Sequence, residues 1–134
     1  MSSAQFRLDG FESETPMYYC LLLEDSTKTV CGIAFTYFGY DMRNGRYLYL
    51  EDLFFEERVR GKGGGKKVML ALANICPLLD CRMFMWQSLD WNTHALEFYA
   101  NIGAKVQDGV FTSRLANDDL KSFAENGTAS KEAD

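Results

Sequence analysis

A cluster of glycines and basic side chains, residues 60–67, is the stretch of this sequence best suited to hold a ligand. It follows an apolar run, residues 47–55, and precedes apolar residues spaced as on a helix from Val68 to Leu79. Glycine has no Cβ, so an anionic ligand can approach the backbone of such a loop closely. The free N–H groups at the start of the helix point at that ligand and favour negative charge. The pattern therefore predicts a strand, a phosphate-binding loop and a helix.

The spacing of the glycines indicates which phosphate ligand to expect. The loop lacks the GxxxxGK(S/T) spacing of a P-loop, and GxGxxG fails because Lys66 stands where the last glycine belongs. The pattern that is present is RxxGxG, formed by Arg60, Gly63 and Gly65. This pattern resembles the acetyl-CoA pyrophosphate loop of the GNAT family of N-acetyltransferases. A flexible loop before a helix is the alternative interpretation of the glycines taken alone.

Other segments extend the resemblance to the spermidine/spermine (diamine) acetyltransferase branch of that family. The run YLYLEDLFF, residues 47–55, is similar to its central strand, and FTYFGYD, residues 35–41, to the strand before it. LDWN at residues 89–92 and LEFYANIGA at 96–104 match its WN…FY…GA segment. The resemblance spans about residues 10–107, and LDWN is closer to the branch member that acetylates thialysine.

Length and composition predict one packed domain. Of the 134 residues, 47% are hydrophobic, so we expect a domain over residues 1–125 and a disordered polar tail at 126–134. The net charge of −5 argues against a nucleic-acid partner and is compatible with a small cationic substrate. No apolar run approaches the roughly 18 residues of a membrane span, and no apolar leader is present, so we expect a cytoplasmic protein. The four cysteines and one histidine are a poor metal set, so we expect reduced thiols and no metal.

Period and turn signals predict the element order β-β-β-α-β-α-β. This order is of the α/β (α+β) class, and the resemblance implies the GNAT acyl-CoA N-acyltransferase fold, a mixed, mostly antiparallel sheet with flanking helices. The first 16 residues are polar and turn-rich, and a closing hairpin is expected around Asp108 and Gly109. The predicted strands are 17–24, 29–40, about 47–55, 82–89 and 111–115, and the predicted helices are about 65–79, 92–101 and 118–123.

Compared with the family, we expect the chain to begin after the first strand and one or two helices, either as a fragment or isoform or because that unit is lost. That N-terminal unit of the family covers one side of the core and helps to line the acceptor site. Its absence would leave apolar surface uncovered, and such surface tends to find a partner. We therefore expect a homodimer, which is the usual state in the family.

Acetyl transfer to an amine needs a group that takes a proton, because an alkylammonium with a pKa of about 10.4 is almost fully protonated at pH 7. Glu51 interrupts an apolar strand, so we expect it to be partly buried and to bind and deprotonate the acceptor. The resemblance implies a substrate-binding carboxylate at this position and a second one at Asp41. Strand alternation would turn Asp52 to the opposite side. The alternative is a structural ion pair of Glu51 with Arg46 or Arg82.

Tyr99 is the candidate general acid, because a phenol can give its proton to a departing thiolate. The resemblance implies this role, since the matching tyrosine of the family lies close to the CoA sulfur. On spacing alone, Tyr99 would be a core aromatic that shares a helical face with Leu96 and Ile102. No cysteine nucleophile is implied, because the family transfers the acetyl group directly.

The resemblance also implies three groups of contacts with acetyl-CoA. The backbone of Leu53, Phe54 and Phe55 would pair with the pantetheine arm, and a bulge there would free an N–H for the thioester oxygen. The loop would hold the pyrophosphate through main-chain N–H groups, and a helix start would contact the rest of CoA. For His94 alone, an exposed surface histidine is the simpler interpretation. The loop residues are Arg60, Gly61, Lys62, Gly63, Gly64, Gly65 and Lys66, and the helix-start residues are Asn92, Thr93, His94 and Ala95.

Met85, Trp86 and Gln87 align with an acceptor-contacting stretch of the family. Met85 and Trp86 are bulkier and less polar than a channel for a tetra-amine would require. The whole pattern predicts an acetyl-CoA-dependent N-acetyltransferase for a small amine such as spermidine, spermine or putrescine. Thialysine or another amino-acid-like acceptor is the first alternative, and a truncated, non-catalytic acyl-CoA-binding or dimerising module is the second. Acetylation of protein lysines is the weakest alternative.

Overall fold

The computed structural model describes residues 1–127, and the chain divides into two compact units, Met1–Trp91 and Asn92–Asp134. The predicted tail at 126–134 lies outside the described residues, apart from Asn126, which ends the last helix, and Gly127, which caps it. In chain order the elements are α1 (Ser3–Gly10), β1 (Tyr19–Glu24), β2 (Val30–Asp41), β3 (Gly45–Phe55), a 3₁₀ turn (Glu57–Val59), α2 (Gly64–Leu78), β4 (Met83–Trp86), α3 (Thr93–Asn101) and α4 (Asn117–Asn126).

The four strands form one sheet in the order β1-β2-β3-β4. The first three strands pair antiparallel as consecutive hairpins, whereas β4 pairs parallel with β3 after the α2 crossover. A parallel neighbour requires such a crossover, because a short turn can only reverse the chain. The sheet is therefore mixed and mostly antiparallel with flanking helices, which confirms the predicted fold class.

A β-bulge interrupts the pairing of β2 with β3 at Glu51. Phe35 pairs with Asp52 and Thr36 pairs with Leu50, so Glu51 is an extra residue without a partner on β2. A bulge bends its strand and increases the local twist. The parallel pairing of β4 with β3 also ends here, since its last pair is Leu50 with Trp86. Both breaks in the sheet thus fall at one point of β3.

The bulge changes which residues of β3 face α2. Before it, Leu48 and Leu50 are buried, with only 2% and 6% of their surfaces exposed. After it, the ring of Phe55 lies beside Gly64 at the start of α2. The residues that face α2 are therefore even-numbered before the bulge and odd-numbered after it. One extra residue has this effect because side chains alternate between the two faces of a strand. The facing residues of α2 are also buried; they are Val68, Met69, Leu72 and Cys76.

A helix occupies the N-terminal segment that the sequence predicted to be polar and turn-rich. Ser2 caps α1 by accepting a hydrogen bond from the backbone N–H of Gln5. The helix packs through Phe6, whose ring centroid lies 5.5 Å from that of Phe35 on β2. Tyr18 stacks on the same Phe35 ring at 4.6 Å and donates a hydrogen bond to the carbonyl of Phe6. The prediction failed because α1 is held by these aromatic contacts and has no regular apolar stripe of its own.

Two other predicted elements differ from the structure. The strand predicted at 82–89 is shortened to Met83–Trp86, because its partner β3 bends away at the bulge. No strand forms over residues 102–116 in the described part of the chain, where a closing hairpin was predicted. Phe111 in this segment is 95% exposed, and a hairpin without a sheet to join is at best marginally stable.

The second unit contains α3 and α4. The side chain of Asn92 accepts a hydrogen bond from the Ala95 N–H, which confirms it as the N-cap of α3. Gly103 follows the helix with a φ of +92°, as the predicted glycine after a helix end should. The short helix predicted at 118–123 is confirmed and extends over Asn117–Asn126.

An ion-pair cluster joins the turn between β1 and β2 to the 3₁₀ turn after β3. Arg58 donates hydrogen bonds of 2.7 Å to Asp25 Oδ2 and to Glu56 Oε2. The other oxygen of Asp25 accepts hydrogen bonds from Thr27 and Thr29. The hydrogen bonds from the Thr27 hydroxyl and from Arg58 hold the pKa of Asp25 well below its usual value. Since the 3₁₀ turn leads into the glycine loop, this cluster fixes where that loop begins.

Asp25→Asn should lower the free energy of unfolding at pH 7. A carboxylate with a depressed pKa stabilises the fold above its unfolded pKa of about 3.9, and this stabilisation is lost as the pH falls below that value. The difference between variant and wild type should therefore shrink below about pH 4. Urea unfolding at several pH values measures this difference in the free energy of unfolding. Glu24→Gln, at an exposed neighbouring residue, is the control. Equal stabilities of the two variants at pH 7 would contradict the prediction.

Candidate functional site

The edge of β3 that faces β4 is unpaired after the bulge. β4 pairs with β3 only from Tyr47 to Leu50, and β3 continues to Phe55. In the described part of the chain, no strand pairs with residues 51–55 on that side. The backbone donors and acceptors of an open strand edge can bind an extended ligand as a further strand would. This edge contains Leu53, Phe54 and Phe55, the residues predicted to pair with a pantetheine arm.

The glycine loop follows this edge and leads into α2. Gly61 and Gly63 have φ values of +75° and +80°, a backbone conformation that other residues rarely adopt. Gly63 is the N-cap of α2 and gives it no side-chain hydrogen bond. The first helical hydrogen bond runs from the Lys67 N–H to the Gly63 carbonyl, so the N–H groups between them are free of helical partners. A Cβ added to Gly65 would meet no atom within 4 Å, which leaves open space over the loop.

Arg60 fastens the loop to the end of β3. Its Nε donates a 2.8 Å hydrogen bond to the carbonyl of Phe55, and its guanidinium lies 5.3 Å from the ring centroid of Phe54. The first residue of the RxxGxG pattern therefore positions the loop from its own side. The remaining cations of this region are exposed and form no ion pair with another described residue; they are Lys62, Lys66 and Lys67. Together the loop and helix start form a positively charged, open cradle in an acidic chain.

Glu51 is exposed, so the expectation of a partly buried carboxylate was wrong. As the bulged residue it lies at the surface of the sheet instead of inside an apolar strand. No ion pair joins it to Arg46 or Arg82 among the described residues, which removes the structural alternative for this carboxylate. Glu51 follows Tyr49 by two residues on β3 and shares its face, and Tyr37 pairs with Tyr49 on the neighbouring strand. After burial, the charge of Glu51 is the next cause that raises the pKa of these two phenols.

Asp52 does not lie on the opposite face, as strict alternation would require. It pairs with Phe35, and paired residues of antiparallel strands share a face. Phe35 and Tyr37 are two residues apart on β2 and also share a face. The bulge therefore brings Glu51 and Asp52 to the same side of the sheet.

Asp41 is not brought together with Glu51. It ends β2 and accepts hydrogen bonds at Oδ1 from the backbone of Arg43 and Asn44 in the hairpin turn. These bonds, with that of the Asn44 N–H the strongest, lower the pKa of Asp41. Asp41 pairs with Gly45, six residues from Glu51, which is about 20 Å along a strand.

The three residues predicted on β4 divide between the faces of the sheet. Met85 pairs with Tyr49 and shares its face, whereas Trp86 pairs with Leu50 on the side of α2. Trp86 lies 4.9 Å from Phe84 between ring centroids. Gln87 follows the end of the strand and is exposed. Of these three residues, Met85 is therefore the one whose position in β4 lies on the same face of the sheet as Glu51.

The second unit holds the remaining predicted residues. Asn92 uses its side-chain oxygen to cap α3, Thr93 and His94 are exposed at the helix start, and Ala95 is half-buried. Tyr99 is half-buried, and its ring packs edge-on against Phe98 at 5.4 Å between centroids. The exposure of His94 agrees with the simpler interpretation of that residue.

Three tyrosines near Glu51 were missed by the sequence reasoning. Tyr37 and Tyr49 are cross-strand partners whose ring centroids lie 4.9 Å apart, and Tyr47 shares their face two residues earlier on β3. We call Tyr37, Tyr47 and Tyr49 the tyrosine face. The available signal was the alternation of tyrosine and leucine at residues 47–50, which has the period of a strand with one buried side.

The described residues contain neither a membrane-spanning helix nor a group of side chains suited to a metal ion. None of their helices has the length and apolar character needed to cross a membrane. None of their histidine, cysteine, aspartate and glutamate side chains form a group of three or more suited to a metal ion.

The model of the acetyltransferase (GNAT) family matches residues 2–104. The chain belongs to the GNAT family. Bovine thialysine N-epsilon-acetyltransferase is 34% identical to it over 112 residues, which are 78% of this chain and 65% of that protein. Human spermidine/spermine N(1)-acetyltransferase-like protein 1 is 31% identical over 133 residues, which are 92% of this chain and 19% of that protein. These relatives confirm the predicted branch of the family.

A solved structure with a similar fold supports this result. The integron cassette protein from the mobile metagenome of V. cholerae superposes with a TM-score of 0.73 at 26% identity. The match covers 84% of this chain and 70% of that chain. The GNAT chain described here spans 65% of the length of the bovine relative.

In this GNAT chain, Gly63→Ala should weaken CoA binding. An L-residue in the left-handed region costs about 1–2 kcal/mol, which corresponds to a roughly 5- to 30-fold loss of affinity if the loop must keep this shape. Gly45→Ala is the matched control, because Gly45 also has a positive φ and an added Cβ there meets no atom within 4 Å, but it lies at the hairpin end of β3. It should keep the CoA affinity of the wild type. Calorimetric titration with CoA measures the affinity of each variant, and full affinity in Gly63→Ala would contradict the prediction.

Proposed function

We propose that this chain is an acetyl-CoA-dependent N-acetyltransferase that acetylates a primary amine of a small cationic acceptor, a diamine or polyamine such as spermidine, spermine or putrescine. The observation that carries the proposal is the continuity of three features: the bulged Glu51, the unpaired edge of β3 and the glycine loop at the start of α2. Membership of the GNAT family and the names of the relatives support it.

The residues of the cradle fit acetyl-CoA, which when bound supplies an activated acetyl group as a thioester. Free N–H groups at the start of α2 and the nearby lysines suit a pyrophosphate. The backbone of Leu53–Phe55 suits the amides of the pantetheine arm, although the Phe55 carbonyl already accepts a hydrogen bond from Arg60. The residues at the start of α3, 92–95, would complete the binding of CoA.

Glu51 would hold the acceptor's ammonium group and take its proton, directly or through water. Its exposure and its position beside two tyrosines suit the capture of a cation from solvent. The neutral amine nitrogen then forms the new C–N bond as the C–S bond breaks. Tyr99 would give its phenolic proton to the departing sulfur and recover one from the amine. The overall reaction releases one proton, which Glu51 passes to solvent.

An amino-acid-like acceptor such as thialysine is the second candidate function. The LDWN segment and the name of the bovine relative favour it. A non-catalytic acyl-CoA-binding or dimerising module is the remaining alternative; such a module would not need Glu51 or Tyr99. The predicted homodimer, the cytoplasmic location and the single domain over 1–125 stay predictions.

Thiol release from acetyl-CoA tests the proposed function. Putrescine, spermidine, spermine, thialysine and lysine are offered side by side to the purified 134-residue chain. Release with the polyamines supports the proposal, and release with thialysine alone supports the second candidate. CoA binding without release for any amine would overturn catalysis by this chain.

Tyr99→Phe should lower kcat by about 100-fold or more, which is the usual contribution of a general acid. The affinity for CoA should stay within about twofold, because the ring and its packing on Phe98 are kept. Steady-state kinetics and calorimetry measure the two quantities. Tyr40→Phe is the control, since Tyr40 is 74% exposed at the hairpin end of β2. An unchanged kcat in Tyr99→Phe would remove Tyr99 as the acid.

Glu51→Gln should raise the acceptor KM by about 10-fold, because a hydrogen bond between two charged groups is replaced by a weaker one. It should also lower kcat if the carboxylate takes the proton. The KM for acetyl-CoA should not change. Glu24→Gln, another exposed strand glutamate, controls for the loss of one negative charge. If Glu51→Gln behaves like this control, Glu51 has no part in acceptor binding.

A further inference from the structure

The tyrosine face continues the site of Glu51 along the sheet. Tyr49 and Tyr47 precede Glu51 by two and four residues on β3, which is about 7 and 13 Å along the strand. Tyr37 lies across from Tyr49 on β2, with 4.9 Å between ring centroids. A row of aromatic rings therefore starts beside one carboxylate and runs toward the β2–β3 hairpin.

Gly39 makes room for the end of this row. It pairs with Tyr47, and a Cβ added to Gly39 would lie 2.2 Å from Cζ of the Tyr47 ring and 2.4 Å from its hydroxyl oxygen. The phenol end of Tyr47 thus lies over the backbone of β2 at a residue without a side chain. No side chain of β2 stands between Tyr47 and solvent at that position.

The phenol groups of the tyrosine face are available to a ligand. In the described part of the chain none of the three hydroxyls forms a hydrogen bond with another residue. None of them is a fully buried oxygen without a partner, so each is reached by solvent. All three side chains are half-buried. Burial first, and then the negative charge of Glu51, raise the pKa of Tyr37 and of Tyr49, so both phenols stay neutral near pH 7.

The α1 segment covers this face of the sheet only beyond the Glu51 end of the row, where Phe35 pairs with Asp52. Phe6 and Tyr18 pack on Phe35, which precedes Tyr37 by two residues on the same face. The ring contacts of α1 and its flanking residues stop there, and none reaches the tyrosine face among the described residues. The surface from Tyr37 to Tyr47 is therefore open beside the covered part of the sheet.

We propose that the tyrosine face is the subsite for the second cationic group of the acceptor. This inference rests on the proposed function, in which Glu51 holds the amine that reacts. A further ammonium group of the same molecule would lie against Tyr49 and Tyr37, and a third against Tyr47. Aromatic faces attract cations, and phenol oxygens accept their N–H hydrogen bonds. The three- and four-carbon spacers of polyamines separate successive ammonium groups by distances of the order of the spacing along this row.

The subsite would therefore distinguish acceptors by the number of ammonium groups they carry, and not by the amine that reacts. A monoamine meets only Glu51, whereas spermidine meets Glu51 and the aromatic row. Tyr49→Leu and Tyr37→Leu remove the aromatic ring, while Tyr49→Phe keeps the ring and removes the hydroxyl. Tyr40→Leu is the matched control, because Tyr40 lies on β2 but three residues from Tyr37 and hence on the other face.

The test compares spermidine with propylamine in two measurements on the full chain. Calorimetric titration in the presence of CoA gives the affinity of each amine, and thiol release gives kcat/KM. Tyr49→Leu should weaken spermidine binding between about 2- and 30-fold, and Tyr49→Phe should weaken it less. Propylamine binding should not change in either variant, and Tyr40→Leu should behave as wild type. Melting temperatures identify a variant that fails to fold, in which case Tyr37→Leu carries the test.

Equal losses for spermidine and propylamine would overturn the inference, as would wild-type spermidine affinity in both leucine variants or an absence of spermidine binding. The outcomes separate it from the proposed function. Spermidine binding that depends on the tyrosines, without acetylation of any amine, would support the subsite and refute catalysis. Acetylation with an unaltered preference for spermidine in the leucine variants would support catalysis and refute the subsite.

Discussion

The extra residue at Glu51 is the constraint on which the arrangement of this site depends. A strand of period two has one fixed set of residues on each face, and one inserted residue exchanges them. Here the exchange lets Leu48 and Leu50 pack under α2 before the bulge and Phe55 do so after it. It also ends the pairing with β4 and leaves a free edge leading to the glycine loop. The bulge thus leaves one edge of β3 unpaired while apolar side chains of β3 still pack under α2.

The two sides of the bulge differ in charge in the way that two oppositely charged substrates would require. The loop after β3 presents lysines and free N–H groups, while the face before the bulge presents a carboxylate and phenols. The cationic side is held in place by short polar contacts, with Arg58 on Asp25 and Arg60 on the Phe55 carbonyl. These contacts fix both ends of the 3₁₀ turn before the glycine loop. A bound phosphate would therefore lose less free energy in ordering this segment.

The sequence predicted those features that are encoded locally. The glycine loop, the apolar face of α2 and the Asn92 cap each depend on residues within a few positions, and the structure has all three. The bulge was expected at Leu53–Phe55 but lies at Glu51, because its position depends on the register with β2, which a single strand does not contain. For the same reason Glu51 was expected to be buried and Asp52 to face away. The helix α1 was missed because it depends on aromatic contacts with Phe35, more than twenty residues away.

The register also limits how long an acceptor the open face can hold. By alternation along β2, Asp41 follows Tyr37 and Gly39 on the same face, so the row that begins at Glu51 has a second carboxylate at its far end. That end lies about 20 Å from Glu51, and one oxygen of Asp41 is already used by the hairpin turn. A diamine that reacts at Glu51 is too short to reach it, and spermidine would end over Tyr47. Asp41 would therefore contribute to attracting cations toward the row, whereas the aromatic rings between the two carboxylates would distinguish acceptors of different length.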